Sequence, residues 1–280
     1  MGDQASVAPR RACRRGWLGA VRADAVRNVR ARAVEGRGDL SRFVIHLTRD
    51  DRADGDEHVR GQSAQANFRG IIDGRQVMAL RPHCLHGDRI PAAHREGFSV
   101  CCFTEVPLSE LHRLTRRIEG RGIQFSDYGI VFSREFLTEK GAQPAIYINS
   151  YDGNTWLREA ADEIYDVAAA SGFEDGACWR LLPYLNGMHE GYDFAWEREW
   201  RVVGNLEFQA EDVVCVVLPE TGEEELTRAF LKRGVPVVSP GWSADRIVAE
   251  FSRQARRAKE LWAAAGATRG RGKRRGGETG

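Results

Sequence analysis

Trp196-Glu197-Arg198-Glu199-Trp200-Arg201-Val202-Val203 sets two carboxylates two residues apart at the entrance to a short apolar run. In a β-strand, residues i and i+2 project to the same face. Read as a strand over 197–204, the stretch puts Glu197 and Glu199 side by side, with Arg198, Trp200 and Val202 on the other face. Two like charges that close repel, so such a pair lasts where both reach water, where a cation lies between them, or where one is held protonated for chemistry. A plain strand with an acidic solvent face satisfies the first condition, and a catalytic carboxylate pair the last.

Working outward, apolar runs rich in β-branched and aromatic residues recur on both sides of this stretch. Phe43-Val44-Ile45-His46-Leu47-Thr48, Phe98 to Thr104, Tyr128 to Ser133, Ala145 to Ile148, Asp212 to Leu218 and Val235 to Val238 all predict strands. Between them, helical spacing is found at Ser63 to Ile72, Leu108 to Leu114, Arg134 to Lys140, 154–167, Cys178 to Leu185 (interrupted by Pro183), Glu223 to Lys232 and Ala244 to Ala265. Strands dominate the middle with helices inserted between them, which predicts an α+β fold.

The chain has 280 residues, 42% of them hydrophobic, enough for one large core. Its net charge of +1 hides an uneven distribution. Residues 1–37 carry nine arginines against Asp3, Asp24 and Glu35, a net of +6, and 266–280 carry +4, which leaves −9 on the body between them. The division expected is a basic flexible arm over 1–40, one domain over 41–265 and a basic Gly/Arg-rich tail over 266–280. An acidic body argues against a broad nucleic-acid-binding face on the fold, while the tails can touch phosphate nonspecifically.

Cys13, Cys84, Cys101, Cys102, Cys178 and Cys215 form no C-x-x-C and no framework spacing, so reduced thiols are expected. The amino terminus is not expected to act as a secretory signal, and no apolar run approaches the ~18 residues that span a bilayer. A cytoplasmic protein without membrane attachment is the expectation, and the Arg-, Ala- and Gly-rich usage suits a bacterium of high genomic GC. Cys84, His86, His94 and Cys101 supply zinc-type ligand atoms in a spacing that matches no closed site, so a loop bordering a pocket is the favoured reading and no metal is assigned. Cys101 or Cys102 with His46 or His112 is a weaker alternative as a nucleophile and base. No G-x-G-x-x-G and no P-loop is present, which sets aside dinucleotide-fold dehydrogenases and P-loop kinases.

Taken in order, Cys102-Phe103-Thr104-Glu105-Val106-Pro107-Leu108-Ser109, Tyr128-Gly129-Ile130-Val131-Phe132, Lys140 to Ile148 and Glu197-Arg198-Glu199-Trp200-Arg201 resemble the AbiGi-type abortive infection family of bacterial phage-defence proteins. The resemblance covers roughly 43–240. More distantly, His46-Leu47-Thr48 on a first strand, a helix, a turn at Gly74 and a late strand entered through a Glu resemble the layout of ADP-ribosyltransferases, including DarT-like toxins that modify nucleic acid. That resemblance implies a split β-sheet core with NAD as substrate. His46 and Thr48 would hold the nicotinamide ribose and adenosine side of NAD, and Glu199 would steady the oxocarbenium-like transition state. Glu197 would prepare the acceptor.

A fixed carboxylate beside the developing ribose cation supplies ~2 to 4 kcal/mol of electrostatic stabilisation. Phe103 and Tyr128 are candidates to stack on the nicotinamide. Two functions therefore remain open. One is an NAD-dependent ADP-ribosyltransferase acting as a toxin or effector in phage defence, with a nucleic acid or protein acceptor. The other is a non-catalytic abortive-infection antitoxin or partner-binding protein that keeps the fold and engages a cognate toxin or antitoxin.

Overall fold

Burial of the apolar runs on both sides of one sheet organises the chain. The structure, a computed structural model, describes residues 41–51, 61–119, 123–149, 153, 155–174, 176–188 and 194–256. The expected basic arm (1–40), the basic tail and the end of the last predicted helix lie outside the described residues. In chain order the strands are β1 (Phe43–Leu47), β2 (Gln76–Val77), β3 (Val100–Thr104), β4 (Gly129–Ser133), β5 (Gln143–Pro144), β6 (Ile146–Ile148), β7 (Leu185–Gly187), β8 (Glu199–Val203), β9 (Leu206–Glu207), β10 (Val213–Val217) and β11 (Val237–Val238). The helices are α1 (Ala64–Gly74), α2 (His112–Thr115), α3 (Arg134–Glu139), α4 (Trp156–Ala170), α5 (Glu224–Lys232) and α6, described over 244–256.

Seven strands form one sheet in the order β11-β10-β4-β1-β3-β8-β5, antiparallel except for the β10–β11 edge pair. The α+β expectation therefore stands in its coarse form, a mostly antiparallel sheet with helices between the strands. Val44, Phe68, Phe103, Phe132, Val202 and Val216 pack on one face of this sheet. Ile45, Leu47, Leu111, Val131 and Val217 pack on the other. Ile90, Phe98, Tyr165, Phe173 and Leu182 make a smaller core between 84–98, α4 and the 3-10 turn Cys178–Tyr184. No described helix is long and apolar enough to cross a membrane.

Local chemistry sets the boundaries. The Ser63 hydroxyl accepts from the Ala66 amide at the start of α1, and Arg75 closes that helix in the left-handed region at φ 51°. Ser133 caps α3 in the same way. The 145–148 strand is placed differently from the expectation. Only Gln143–Pro144 joins the main sheet, at its edge, while Ile146–Ile148 pairs in parallel with Leu185–Gly187 in a separate ribbon. Proline lacks an N–H, so an edge is where a strand ending in Pro144 fits.

The opening stretch also requires a correction. The strand begins at Glu199, because Arg198 takes φ 47° and Phe194–Glu197 is a 3-10 turn. Pleat alternation cannot run through a left-handed residue, so Glu197 and Glu199 do not stand side by side on one strand face.

Candidate functional site

The sheet is forked between β1 and β3. β1 pairs with β4 along its whole length, from Phe43 opposite Ser133 to Leu47 opposite Gly129, and β3 pairs with β8 from Val100 opposite Val203 to Thr104 opposite Glu199. β1 and β3 are in register only at Ile45 opposite Thr104. Beyond that pair another segment takes the place of β1 against β3. Pro82 bridges Ser99, and the Val100 amide donates to the Arg81 carbonyl at 3.4 Å. Cys102 is left at the crotch.

His46 fills the crotch with its ring. Its Nδ1–H donates to the Cys102 carbonyl at 2.9 Å, a bond that a neighbouring strand would otherwise supply. Nδ1 therefore carries the proton. Burial lowers the pKa of His46 from its ordinary value despite that bond, so the imidazole is neutral and Nε2 keeps its lone pair. The ring lies 5.6 Å from that of Phe103, centroid to centroid.

Glu199 reaches the same residue from the other side. Its carboxylate is hydrogen-bonded with the Cys102 thiol, and Cys102 is raised well above the ordinary thiol value by burial and then by the Glu199 charge. The pleat gives the geometry. Glu199 and Arg201 lie opposite Thr104 and Cys102, on the face of Ile45, whereas His46, Phe103 and Trp200 start from the opposite face. His46 and Glu199 thus approach one residue, Cys102, from the two faces.

Glu199 is not an open carboxylate. Arg201 Nε donates to Oε1 at 3.0 Å and Arg201 Nη2 to Oε2 at 2.9 Å, while the Tyr147 hydroxyl donates to Oε2 at 2.5 Å. The Arg201 side chain is 0% exposed, and its Nη1 donates to the Pro183 carbonyl at 2.8 Å. Burial alone would push the Glu199 carboxyl up, but the charge and hydrogen bonds of Arg201 outweigh it and hold Glu199 below its ordinary value. The group is ionised, oriented by a fork-like bidentate pair, and shielded. His83 stands near this pair, and burial, with Arg201 next, brings its pKa down to about 4.

The remaining expected site residues are placed as follows. The Thr48 hydroxyl is buried and donates to the Ala64 carbonyl at 2.9 Å, with the Tyr128 carbonyl at 3.3 Å, so it ties β1 to α1. Phe103 is buried in the core. The Tyr128 hydroxyl donates to Glu223 Oε1 at 2.5 Å, and burial with Glu223 raises its pKa to about 12. Gln65 also donates to that carboxylate oxygen, and Arg69 Nη2 lies 3.9 Å from its partner oxygen. Glu197 is buried, and its carbonyl accepts from the Thr104 hydroxyl. His46 and Glu199 each touch Cys102, the first at its carbonyl and the second at its thiol, from opposite faces of the sheet, while Thr48, Phe103 and Tyr128 sit in packing and anchoring roles.

Among the described residues no group of three or more His, Cys, Asp and Glu is placed to hold a metal ion. His86 Nε2 pairs with Asp162 at 2.7 Å and stacks on Tyr165, His94 packs near Phe173, and the Cys101 thiol donates to the Val77 carbonyl.

Sequence reasoning missed the roles of Arg201 and Tyr147, and read Cys102 only as a weaker candidate nucleophile. Arg201 was within reach, since a strand beginning at Glu199 puts residue 201 on the same face. Tyr147 carries no signal in its neighbours Ile146 and Ile148, because it meets Glu199 only once β5 has joined the edge of β8. No family model matches the chain, and searches of curated proteins and of solved structures returned no match.

Proposed function

We propose that the protein is an NAD-dependent ADP-ribosyltransferase of the abortive-infection type, acting as a toxin or effector in phage defence on a nucleic acid or protein acceptor. One observation carries this reading: the fork, in which His46 and Glu199 meet at Cys102 from opposite sides. The contact of His46, from the H-x-T strand, and of Glu199, at the entrance of β8, with the same residue supports the ADP-ribosyltransferase resemblance. NAD supplies a glycosidic bond to nicotinamide whose cleavage leaves positive charge on the ribose. Glu199, held ionised by Arg201, can offset that charge, and the Nε2 lone pair of His46 can accept from a ribose hydroxyl. Tyr147 and Arg201 fix the carboxylate, so little reorganisation is needed when charge develops.

The second reading is the non-catalytic antitoxin or partner-binding protein. The saturation of Glu199 by Arg201 and Tyr147 favours it, since a carboxylate accepting that many bonds has little capacity left for a ribose hydroxyl.

Nicotinamide release from NAD separates the two. The wild-type protein should cleave NAD, and Glu199→Gln should lower the rate by at least ~100-fold. Because this variant strands Arg201, the double variant Glu199→Gln/Arg201→Met is measured beside it, with thermal unfolding of both. A well-folded double variant with the wild-type rate, or a wild-type protein that neither binds nor cleaves NAD, leaves the binding-protein reading.

A further inference from the structure

The face of the sheet that carries His46 leads to a second carboxylate. His46 lies opposite Ile130, and two positions further along the Thr48 amide donates to the Tyr128 carbonyl at 2.8 Å. Alternation puts His46, Thr48, Tyr128 and Ile130 on one face, with Tyr128 the diagonal neighbour of His46 across the strand pair. The rings agree with this placement: His46 packs near Phe103 and Tyr128 lies 5.9 Å from Phe68, both members of the same core. Tyr128 then carries its hydroxyl to Glu223, donating to Oε1 at 2.5 Å, and Gln65 at the start of α1 donates to the same oxygen. The Glu223 side chain is 8% exposed. Among the described residues its Oε2 accepts no hydrogen bond, and Arg69 Nη2, at 3.9 Å, lies beyond bonding distance. One oxygen is thus fixed by two donors, which orients the other as an unused acceptor.

The surroundings of Oε2 select the kind of group it takes. Arg69 already sets a positive charge beside it, so a cationic ligand meets a like charge, while the carboxylate itself repels an anion. A neutral O–H donor avoids both and gains a charge-assisted bond. His46 Nε2 is a further acceptor on the same face, and a row of acceptors suits the hydroxyls of a nucleoside. Glu199 reaches Cys102 from the other face, so the sugar at Glu223 is not the one whose glycosidic bond breaks. We propose that Glu223, held by Tyr128 and Gln65, accepts a hydroxyl of the adenosine ribose of the dinucleotide. The inference rests on the transferase reading and deepens it, by giving the non-reacting half of NAD a place on the His46 face.

Calorimetric titration of the full chain with NAD, and with NAD analogues lacking the adenosine 2′- or 3′-hydroxyl, tests this. In the wild-type protein at least one analogue should bind ~10-fold or more weakly than NAD, a comparison that involves no change to the fold. Glu223→Gln is the matching variant. Tyr128 and Gln65 both donate, so they keep the amide oxygen at the Oε1 position and leave the amide nitrogen, a donor, where Oε2 was. NAD should then bind ~10-fold more weakly and the analogues no worse than NAD, the non-additivity that marks a direct contact. Analogues that bind the wild-type protein as tightly as NAD, or a hydroxyl penalty that persists in Glu223→Gln, overturn the site even if nicotinamide is released. Absence of NAD binding overturns the site and the transferase reading together. A hydroxyl penalty erased by Glu223→Gln, with no nicotinamide released, keeps the site and removes the transferase reading alone.

Discussion

Arg201 is where the chemistry of single residues is most exposed to test. A guanidinium with no solvent access stays charged only because Glu199 and the Pro183 carbonyl receive it. Arg201→Met leaves a carboxylate in the same interior, and should cost ~3 to 5 kcal/mol in denaturant unfolding. Converting Glu199 to Gln in the same chain should return most of that loss, because the stranded charge goes with it. His83 gives a pH prediction. Its folded pKa of about 4 lies below the ordinary 6.5, so the unfolded chain binds the extra proton first. Stability is therefore full above pH 6.5 and declines as pH falls toward 4, by about 3 kcal/mol from this residue. His46 and His86, also lowered by burial, act in the same direction. Urea unfolding of His83→Gln at pH 7 and pH 4.5 should show a smaller difference than wild type, with the slope of the other two left. The E-x-E pattern was legible as letters, but its geometry was not. The left-handed Arg198 removes Glu197 from the strand, and nothing in an Arg announces φ 47°.

At the level of elements, the long apolar runs were legible because burial on two faces leaves no other use for them. β1, β3, β4 and β10 fall where the sequence predicts. Val237–Val238 falls within its predicted run, but Gln143–Pro144 was not legible, since it owes its conformation to a partner far along the chain. The seam of β1 with β4 is close. A Cβ at Gly129 would meet Leu47 Cδ2 at 2.9 Å and the His46 carbonyl oxygen at 3.0 Å. Gly129→Ala should thus push β1 toward the fork, costing ~1 to 3 kcal/mol in unfolding and, under the proposed transferase function, weakening NAD binding in titration. Thr48→Val tests the opposite expectation. It removes the tie from β1 to the Ala64 carbonyl and should cost ~1 kcal/mol in unfolding; under the proposed transferase function it should leave NAD affinity unchanged. Loss of NAD affinity beyond the loss of stability would return Thr48 to the role that its H-x-T position suggested.

For the molecule as a whole, composition was a fair guide to class and a poor one to the site. A body of net −9 does not say where its charges meet, and the fork brings His46 and Glu199, far apart along the chain, to one residue, Cys102. No periodicity encodes that meeting, which depends on which segment replaces β1 beside β3. If the site binds NAD, a hundredfold excess over Kd should raise stability by ~2.7 kcal/mol, readable as a thermal shift absent in His46→Ala. The fork has one more consequence, in the time domain. The four strands β11, β10, β4 and β1 and the three strands β3, β8 and β5 are stitched along their own lengths and to each other at Ile45 and Thr104. Amide protons of the two groups should then exchange with solvent as two cooperative blocks rather than one, each opening at its own rate. A molecule spanning the gap would act as a suture, and its signature would be the merging of two exchange rates into one.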